Sequence, residues 1–282
     1  MRVVIFGASG QLATDLLITA PNKVELFSFS REECDIINHE QVDELLKKIR
    51  PSHVINCAAY HNTSQCEKFP LTAYQINSIA PYYLSKSCVD IDATLTHIST
   101  DYVFDGIANI PYLETANTNP INVYGVTKLA GEHHIRSVLD KHYIVRISSV
   151  YGKKGVRCKG GTNFVLTMLK KAQEQKTIEV VDDIFMSPTY TTDAAKIIWE
   201  NLISSMPYGT YHASNKGCCS WYELAERIFK ICQLDVDVVP VSHKKFPSSF
   251  CVPKNTALET NSSMSKRSWD LALEDFLSQV EK

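Results

Sequence analysis

Val3-Val4-Ile5-Phe6-Gly7-Ala8-Ser9-Gly10-Gln11-Leu12-Ala13 places an apolar strand, a Gly-x-x-Gly turn and the start of a helix at the front of the chain. Gly7 permits a tight turn, and Gly10 lets the backbone approach a pyrophosphate. A helix beginning near Gln11 offers unpaired N–H groups and a positive dipole end to the phosphates. Ala13 stands where a third glycine is usual, and it is small enough for the helix to pack on the strand. Gly7, Ser9, Gly10, Gln11 and Leu12 are therefore candidates to hold a dinucleotide, NADPH or NADH. Glycine-rich turns also occur in ordinary strand–turn–helix connections, so a dinucleotide site needs support from the rest of the chain.

After the turn, β-branched apolar runs alternate with segments of helical period. Strands are expected at Arg2 to Phe6, Val24 to Phe29, His53 to Cys57, Thr94 to Ser99 and Tyr143 to Ile147. Helices are expected at Gln41 to Ile49, Pro70 to Cys88 and Val126 to Leu139. Runs that are apolar nearly throughout belong in a parallel sheet covered on both faces. The expected fold is α/β, a Rossmann-type doubly wound parallel sheet with a smaller C-terminal α/β substrate lobe. Residues 1–150, joined by parts of 180–205, are assigned to the cofactor and 151–282 mainly to the substrate. In that second part Gly155 to Asn163 reads as a loop, Phe164 to Gln175, Thr192 to Ile203 and Ser220 to Ile231 as helices, and Ile178 to Val181 as a strand.

The chain has 282 residues, 44% hydrophobic and 21% charged, which excludes disorder and a coiled coil. Its 29 Lys and Arg against 31 Asp and Glu give a net charge of −2, so neither nucleic acid nor an anionic membrane is an expected partner. No apolar run reaches the roughly 18–20 residues of a membrane span, and the opening apolar stretch is too short for a signal peptide. A cytoplasmic location is expected. The nine cysteines are odd in number, scattered and without a CxxC, which suits reduced thiols and gives no metal motif. A homodimer is the default expectation because symmetric dimers are common.

About twenty residues beyond the glycine turn, where a carboxylate commonly holds the adenosine ribose, the chain has Phe29-Ser30-Arg31. Ser30 and Arg31 suit a 2′-phosphate and hence NADPH, although an exposed, idle Arg31 fits the sequence as well. Asp35 and Ile36 come at the next turn, toward the adenine. Tyr124 and Lys128 share a helix face at i, i+4, where an ammonium favours the phenolate and makes the tyrosine a usable proton donor. Ser99 and Thr100 end the strand before them, where a hydroxyl can help to surround a carbonyl oxygen.

With these residues the chain resembles the extended short-chain dehydrogenase/reductases, and closely the dTDP-4-dehydrorhamnose reductase family. The resemblance rests on Gly7 to Leu12, Arg50-Pro51, Ile55 to Tyr60, Ser99-Thr100-Asp101-Tyr102-Val103-Phe104-Asp105-Gly106 and Asn119 to Gly125. It extends to Lys128 to Glu132, Asn163-Phe164-Val165, Val180 to Asp183, Ser187 to Thr191 and Gly209 to His212. It implies hydride transfer from a reduced nicotinamide to the C4 carbonyl of a nucleotide-linked 4-keto-6-deoxy sugar. In that reading Tyr124 is the acid, Lys128 its activator and Thr100 the hydroxyl partner. Ala58, Ala59 and Tyr60 line the cofactor, Ser99 stands beside it, and Asn77 either sits near the adenine or braces the fold. Tyr102 and Asn163 fall on the substrate side.

The departures concern substrate recognition. A tryptophan usual in the family is replaced by Ser149, removing a stacking face. The usual Thr-x-Val-Asp is His61-Asn62-Thr63-Ser64, and an expected Arg-Pro is Val252-Pro253, leaving Lys254 as a point charge for a diphosphate. His61, Ser149 and Lys254 are accordingly substrate-side candidates, while Trp199, Trp221 and Trp269 read as packing residues. Two alternatives stand beside the reductase. One is another nucleotide-sugar epimerase, reductase or dehydratase, with Cys66, His61 or Cys158 as the added acid or base. The other is a regulatory NADP-binding subunit like that of methionine adenosyltransferase.

Overall fold

The computed structural model describes residues 1–155, 160–203, 206–259 and 267–280. β1 (Arg2–Phe6), β2 (Glu25–Phe29), β3 (His53–Asn56), β4 (Thr94–Thr100) and β5 (His142–Ile147) lie in one parallel sheet. Beyond it come β6 (Val150–Tyr151), β7 (Thr177–Val181), β8 (Phe185–Met186) and β9 (Thr189–Tyr190), after which β10 (Gly209–His212) returns to pair with β5. The sheet order is β10-β5-β4-β3-β1-β2, so the direction of winding reverses between β1 and β3. The carboxyl ends of those two strands are where such a sheet binds ligands.

The apolar runs explain the sheet's depth. Val3, Val4, Ile5 and Phe6 have no exposed surface, and every residue of β4 is buried. Burial of each such aliphatic side chain contributes roughly 1.5–3 kcal/mol. One face is covered by α1 (Gln11–Ile18). The other is covered by α2 (His39–Ile49) and, beyond the short α3 (Thr63–Lys68) and α4 (Pro70–Tyr74), by α5 (Ala80–Asp90) and α6 (Val123–Val138). A separate apolar core joins β6 to β9 with α7 (Phe164–Glu174). The helix α8 (Thr191–Ile203) goes instead to the α1 face of the sheet, where Trp199 donates its indole N–H to the Leu16 carbonyl. The second core is completed by β11 (Cys219–Ser220), α9 (Trp221–Cys232), β12 (Asp237–Val241) and α10 (Trp269–Ser278).

Two differences from the sequence expectation have local causes, and two more lie in the second half of the chain. The single helix expected from Pro70 to Cys88 is interrupted by a π-turn at Gln75–Ile79, because Pro81 has no N–H to give the Asn77 carbonyl. α6 begins at Val123 rather than Val126: Asn122 accepts the Gly125 N–H at 2.9 Å as its cap, which puts Tyr124 in the first turn. β10, in the stretch given mainly to the substrate lobe, instead completes the central sheet, and α10 carried no distinct signal in the sequence. No helix among the described residues is long and apolar enough to cross a membrane.

Candidate active site

A cavity of about 500 Å³ opens at the carboxyl ends of β1, β3 and β4 and reaches the second core. One end is formed by Gly7, Ser9, Gly10, Gln11 and Leu12, with Arg31, Asp35 and Ile36 beside them. Ala58, Ala59, Tyr60 and His61 form one wall. Ser99, Thr100, Tyr102, Tyr124 and Lys128 meet at the middle, and Ser149, Asn163, Phe164 and Trp221 line the far end. Of the residues singled out in the sequence, Ser30, Asn77 and Lys254 do not reach this lining.

The glycine turn is built for close approach. Gly7 has φ +78°, and a Cβ there would lie 2.7 Å from the Ala58 nitrogen, so only glycine fits between β1 and β3. Gly10 caps α1 without a side-chain bond, leaving the helix's first amides without a capping oxygen. Asn163 donates to Gln11 Oε1 at 3.0 Å, and Gln11 Nε2 is left in the cavity wall as a buried donor without a partner among the described residues. An uncapped helix start beside an unpaired buried donor fits the pyrophosphate of a dinucleotide.

Several of the expected site residues also have protein partners. Asn163 gives its amide protons to Gln11 Oε1 and the Gly152 carbonyl and accepts the Leu166 N–H. Asn77 accepts the Tyr60 N–H and donates to the Tyr60 carbonyl and Thr127 Oγ1, which makes it a brace. Ser99 lines the cavity, but its hydroxyl proton goes to Glu132 at 2.6 Å. Ser30 is held by a backbone bond to the Glu33 carboxylate, while Arg31 pairs with Asp35 at 3.0 Å on the surface. Lys254 is exposed, and its carbonyl accepts the Phe185 N–H.

At the centre, Lys128 is fully buried, with Nζ 2.6 Å from the Ile98 carbonyl and 3.0 Å from His97 Nε2. Burial pulls its ammonium down to about 8, against the opposing pull of Glu132 and Cys57. Glu132 is itself held ionised despite burial, chiefly by Arg146, with Ser99 and Arg136 adding to it. Tyr124 departs from the sequence expectation of a lowered phenol: burial raises it, with the Thr100 hydrogen bond opposing. A phenol so placed stays protonated near neutrality. Thr100 accepts the Tyr102 N–H and gives its own proton to Asp101.

At the far end Ser149 is held at φ +40°, a conformation rare for a residue with a Cβ. The aromatic surface that Ser149 lacks is present elsewhere. Trp221, read in the sequence as packing, lines the cavity beside Phe164, their rings 4.6 Å apart. The signal that could have found it is its position at the first residue of α9, directly after the Ser220 cap. Tyr102 meets the Tyr124 ring edge to face at 5.9 Å. Cys66 is buried, gives its thiol proton to the Tyr60 carbonyl and lies outside the lining, and Cys158 falls outside the described residues.

A family model described as the RmlD substrate binding domain matches residues 1–282. Over 301 residues the chain is 32% identical to the dTDP-4-dehydrorhamnose reductase of Salmonella typhimurium, covering 99% of this chain and 98% of that one. The chain belongs to the dTDP-4-dehydrorhamnose reductase family. It is also similar to the spore coat polysaccharide biosynthesis protein SpsK of Bacillus subtilis, 35% identical over 99% of this chain and 97% of that one. The solved dTDP-4-dehydrorhamnose reductase of Bacillus anthracis in complex with NADP superposes with a TM-score of 0.93 at 38% identity, with 99% of both chains covered.

Proposed function

We propose that this protein uses NADPH to reduce the C4 carbonyl of a nucleotide-linked 4-keto-6-deoxy sugar, dTDP-4-dehydrorhamnose above all, in the synthesis of a surface polysaccharide. The observation that carries the reading is the meeting of Thr100, Tyr124 and Lys128 in one cavity with the uncapped start of α1. The sheet half takes the cofactor and the second lobe the sugar nucleotide. Gly7, Gly10 and Gln11 hold the pyrophosphate, Arg31 the 2′-phosphate, and Lys128 the nicotinamide ribose. NADPH supplies the hydride. Tyr124, kept protonated by burial, gives its proton to the carbonyl oxygen: the phenol O–H breaks as the sugar O–H forms. Thr100 orients that phenol, and the walls formed by Tyr102, Phe164 and Trp221 exclude water and pack on the sugar nucleotide.

The test follows loss of reduced-nicotinamide absorbance with a panel of enzymatically prepared nucleotide 4-keto-6-deoxy sugars, with Tyr124→Phe run beside the wild type. Turnover of the dTDP sugar that disappears in the variant is the expected result. NADPH binding with no turnover of any panel member would sink the reading.

A further inference from the structure

We propose that Thr256 is a positioning residue for Thr100, acting through the buried carboxylate of Asp101. Thr256 lies in the segment between β12 and α10, far in sequence from the site and outside the cavity lining. Its side chain is buried and gives its hydroxyl proton to Asp101 Oδ2 at 2.6 Å. Ser148, just after β5, gives its proton to the same oxygen at 2.8 Å. The other oxygen, Oδ1, receives the proton of Thr100 at 3.0 Å. A carboxylate turns about a broad terminal torsion, so nothing in Asp101 itself decides where Oδ1 points. Two donors converging on Oδ2 from different segments fix that torsion and present Oδ1 to Thr100.

Thr100 owes one of its two anchors to this oxygen. The Tyr102 N–H, at 3.2 Å, holds a lone pair of Oγ1, and Asp101 holds its proton. Without the second anchor the threonine is released to other staggered rotamers, which carry its hydroxyl away from the Tyr124 phenol. Burial pushes the Asp101 carboxyl up from its ordinary range, and the Thr256 hydroxyl is the first of the groups that oppose this, followed by Ser148 and Thr100. The segment itself does not need that hydroxyl to stay seated. The Cys251 carbonyl accepts from the Asn122 side chain at 3.0 Å, the Lys254 carbonyl from the Phe185 N–H at 2.7 Å, and the Gly106 carbonyl from the Asn255 N–H at 3.1 Å. The Thr256 N–H goes to the Phe185 carbonyl at 2.9 Å. One hydroxyl can therefore be taken from Asp101 while the backbone around it stays held.

The inference rests on the reductase reading for its purpose, and one of its two readouts is independent of turnover. Thr256→Val keeps the shape and drops the hydroxyl, while Thr256→Ser keeps the hydroxyl. Thr256→Val should lower kcat for the dTDP 4-keto sugar roughly tenfold with KM nearly unchanged, as a small misplacement of a reacting group does. Thr256→Ser should restore it. Asn255→Ala cuts the segment's bond to the Ala108 carbonyl but leaves Asp101 untouched, so it should lower the melting temperature without lowering kcat. In a double-mutant cycle, adding Thr256→Val to Thr100→Val should cost less than about twofold more in kcat, since the hydroxyl it positions is already gone. A full further loss in the double variant, or an equal kcat loss in Asn255→Ala, makes the segment a general support and overturns the inference. The second readout is the Thr100 χ1 rotamer, from three-bond couplings of its methyl carbon in threonine-labelled full-length protein, assigned by loss of the signal in Thr100→Ser. The rotamer should be single in the wild type, Thr256→Ser and Asn255→Ala, and averaged in Thr256→Val. A rotamer unmoved in Thr256→Val overturns the inference whatever the substrate. If Thr256→Val does not fold, Ser148→Ala, which takes the other donor from Oδ2, should average the same rotamer, and its failure to do so overturns the inference equally. An averaged rotamer without turnover of any 4-keto sugar overturns the proposed function and leaves Thr256 as argued.

Discussion

Thr100 Oγ1 lies 3.0 Å from Asp101 Oδ1 and donates its only proton to that buried carboxylate. Asp101 Oδ2 meanwhile accepts from Ser148 at 2.8 Å and from Thr256 at 2.6 Å. Thr100 is also the hydrogen-bonding group that opposes the upward push of burial on the Tyr124 phenol, so a row of polar groups runs from Asp101 to the proposed acid. Thr100→Ser should retain most activity. Thr100→Val should lower kcat by roughly 10²-fold with a smaller change in KM, as steady-state kinetics would show.

Tyr124→Phe removes the transferred proton and leaves the ring in place. Its kcat/KM should fall by roughly 10²–10⁴-fold. NADPH affinity measured by calorimetry should be nearly unchanged, which separates the acid from a cofactor contact.

Gly125 packs α6 directly on the loop after β4: a Cβ there would stand 2.1 Å from the Tyr102 carbonyl oxygen. Gly125→Ala should cost roughly 1–3 kcal/mol by overpacking. A thermal melt should register this as a drop of roughly 2–4 °C per kcal/mol, accompanied by lower kcat because Tyr124 is the neighbouring residue.

Trp221 tests how the substrate end works without an aromatic residue at position 149. Trp221→Ala should raise KM for the sugar nucleotide severalfold and leave the NADPH dissociation constant alone. An equal loss of both affinities would instead make Trp221 a prop for the lobe.

The acid limb of stability should carry a histidine signature. Burial lowers His212 to about 4, and His97 well below its usual range. Between the unfolded value of about 6.5 and these lower values, the unfolded chain binds protons that the folded chain does not. Stability is therefore fully present above about pH 6.5 and is lost as pH falls toward 4. Melting temperature should decline over that window, and His212→Gln should flatten the decline.

What the sequence disclosed was chemistry with local spacing. The glycine turn, the Tyr124 and Lys128 pair, and the strands β1 to β5 announce themselves within a few residues. The supporting layer does not, because its partners are remote. Thr256 reaches Asp101 across 155 positions, and Asn163 reaches Gln11 across 152. Neither pairing leaves a periodic trace. Ser99 lies in a recognisable motif and Asn77 is named by the resemblance, yet only three-dimensional packing shows that their polar atoms bond Tyr60 and Glu132. Trp221 was hidden for the opposite reason: an indole that both packs and lines a cavity looks in sequence like any core tryptophan.

The pairing of β10 with β5 carries a consequence for synthesis. When the chain has emerged as far as Ile147, five strands exist, but the strand that will cover the outer edge of β5 is still unmade. Everything from Val150 to Ile203, including much of the second core, must emerge before Gly209–His212 can close that edge. Until then the nascent protein exposes unpaired backbone on a parallel strand, a site for wrong partners. Truncations ending before Gly209 should therefore aggregate even though the entire glycine turn and the Tyr124 and Lys128 pair are present.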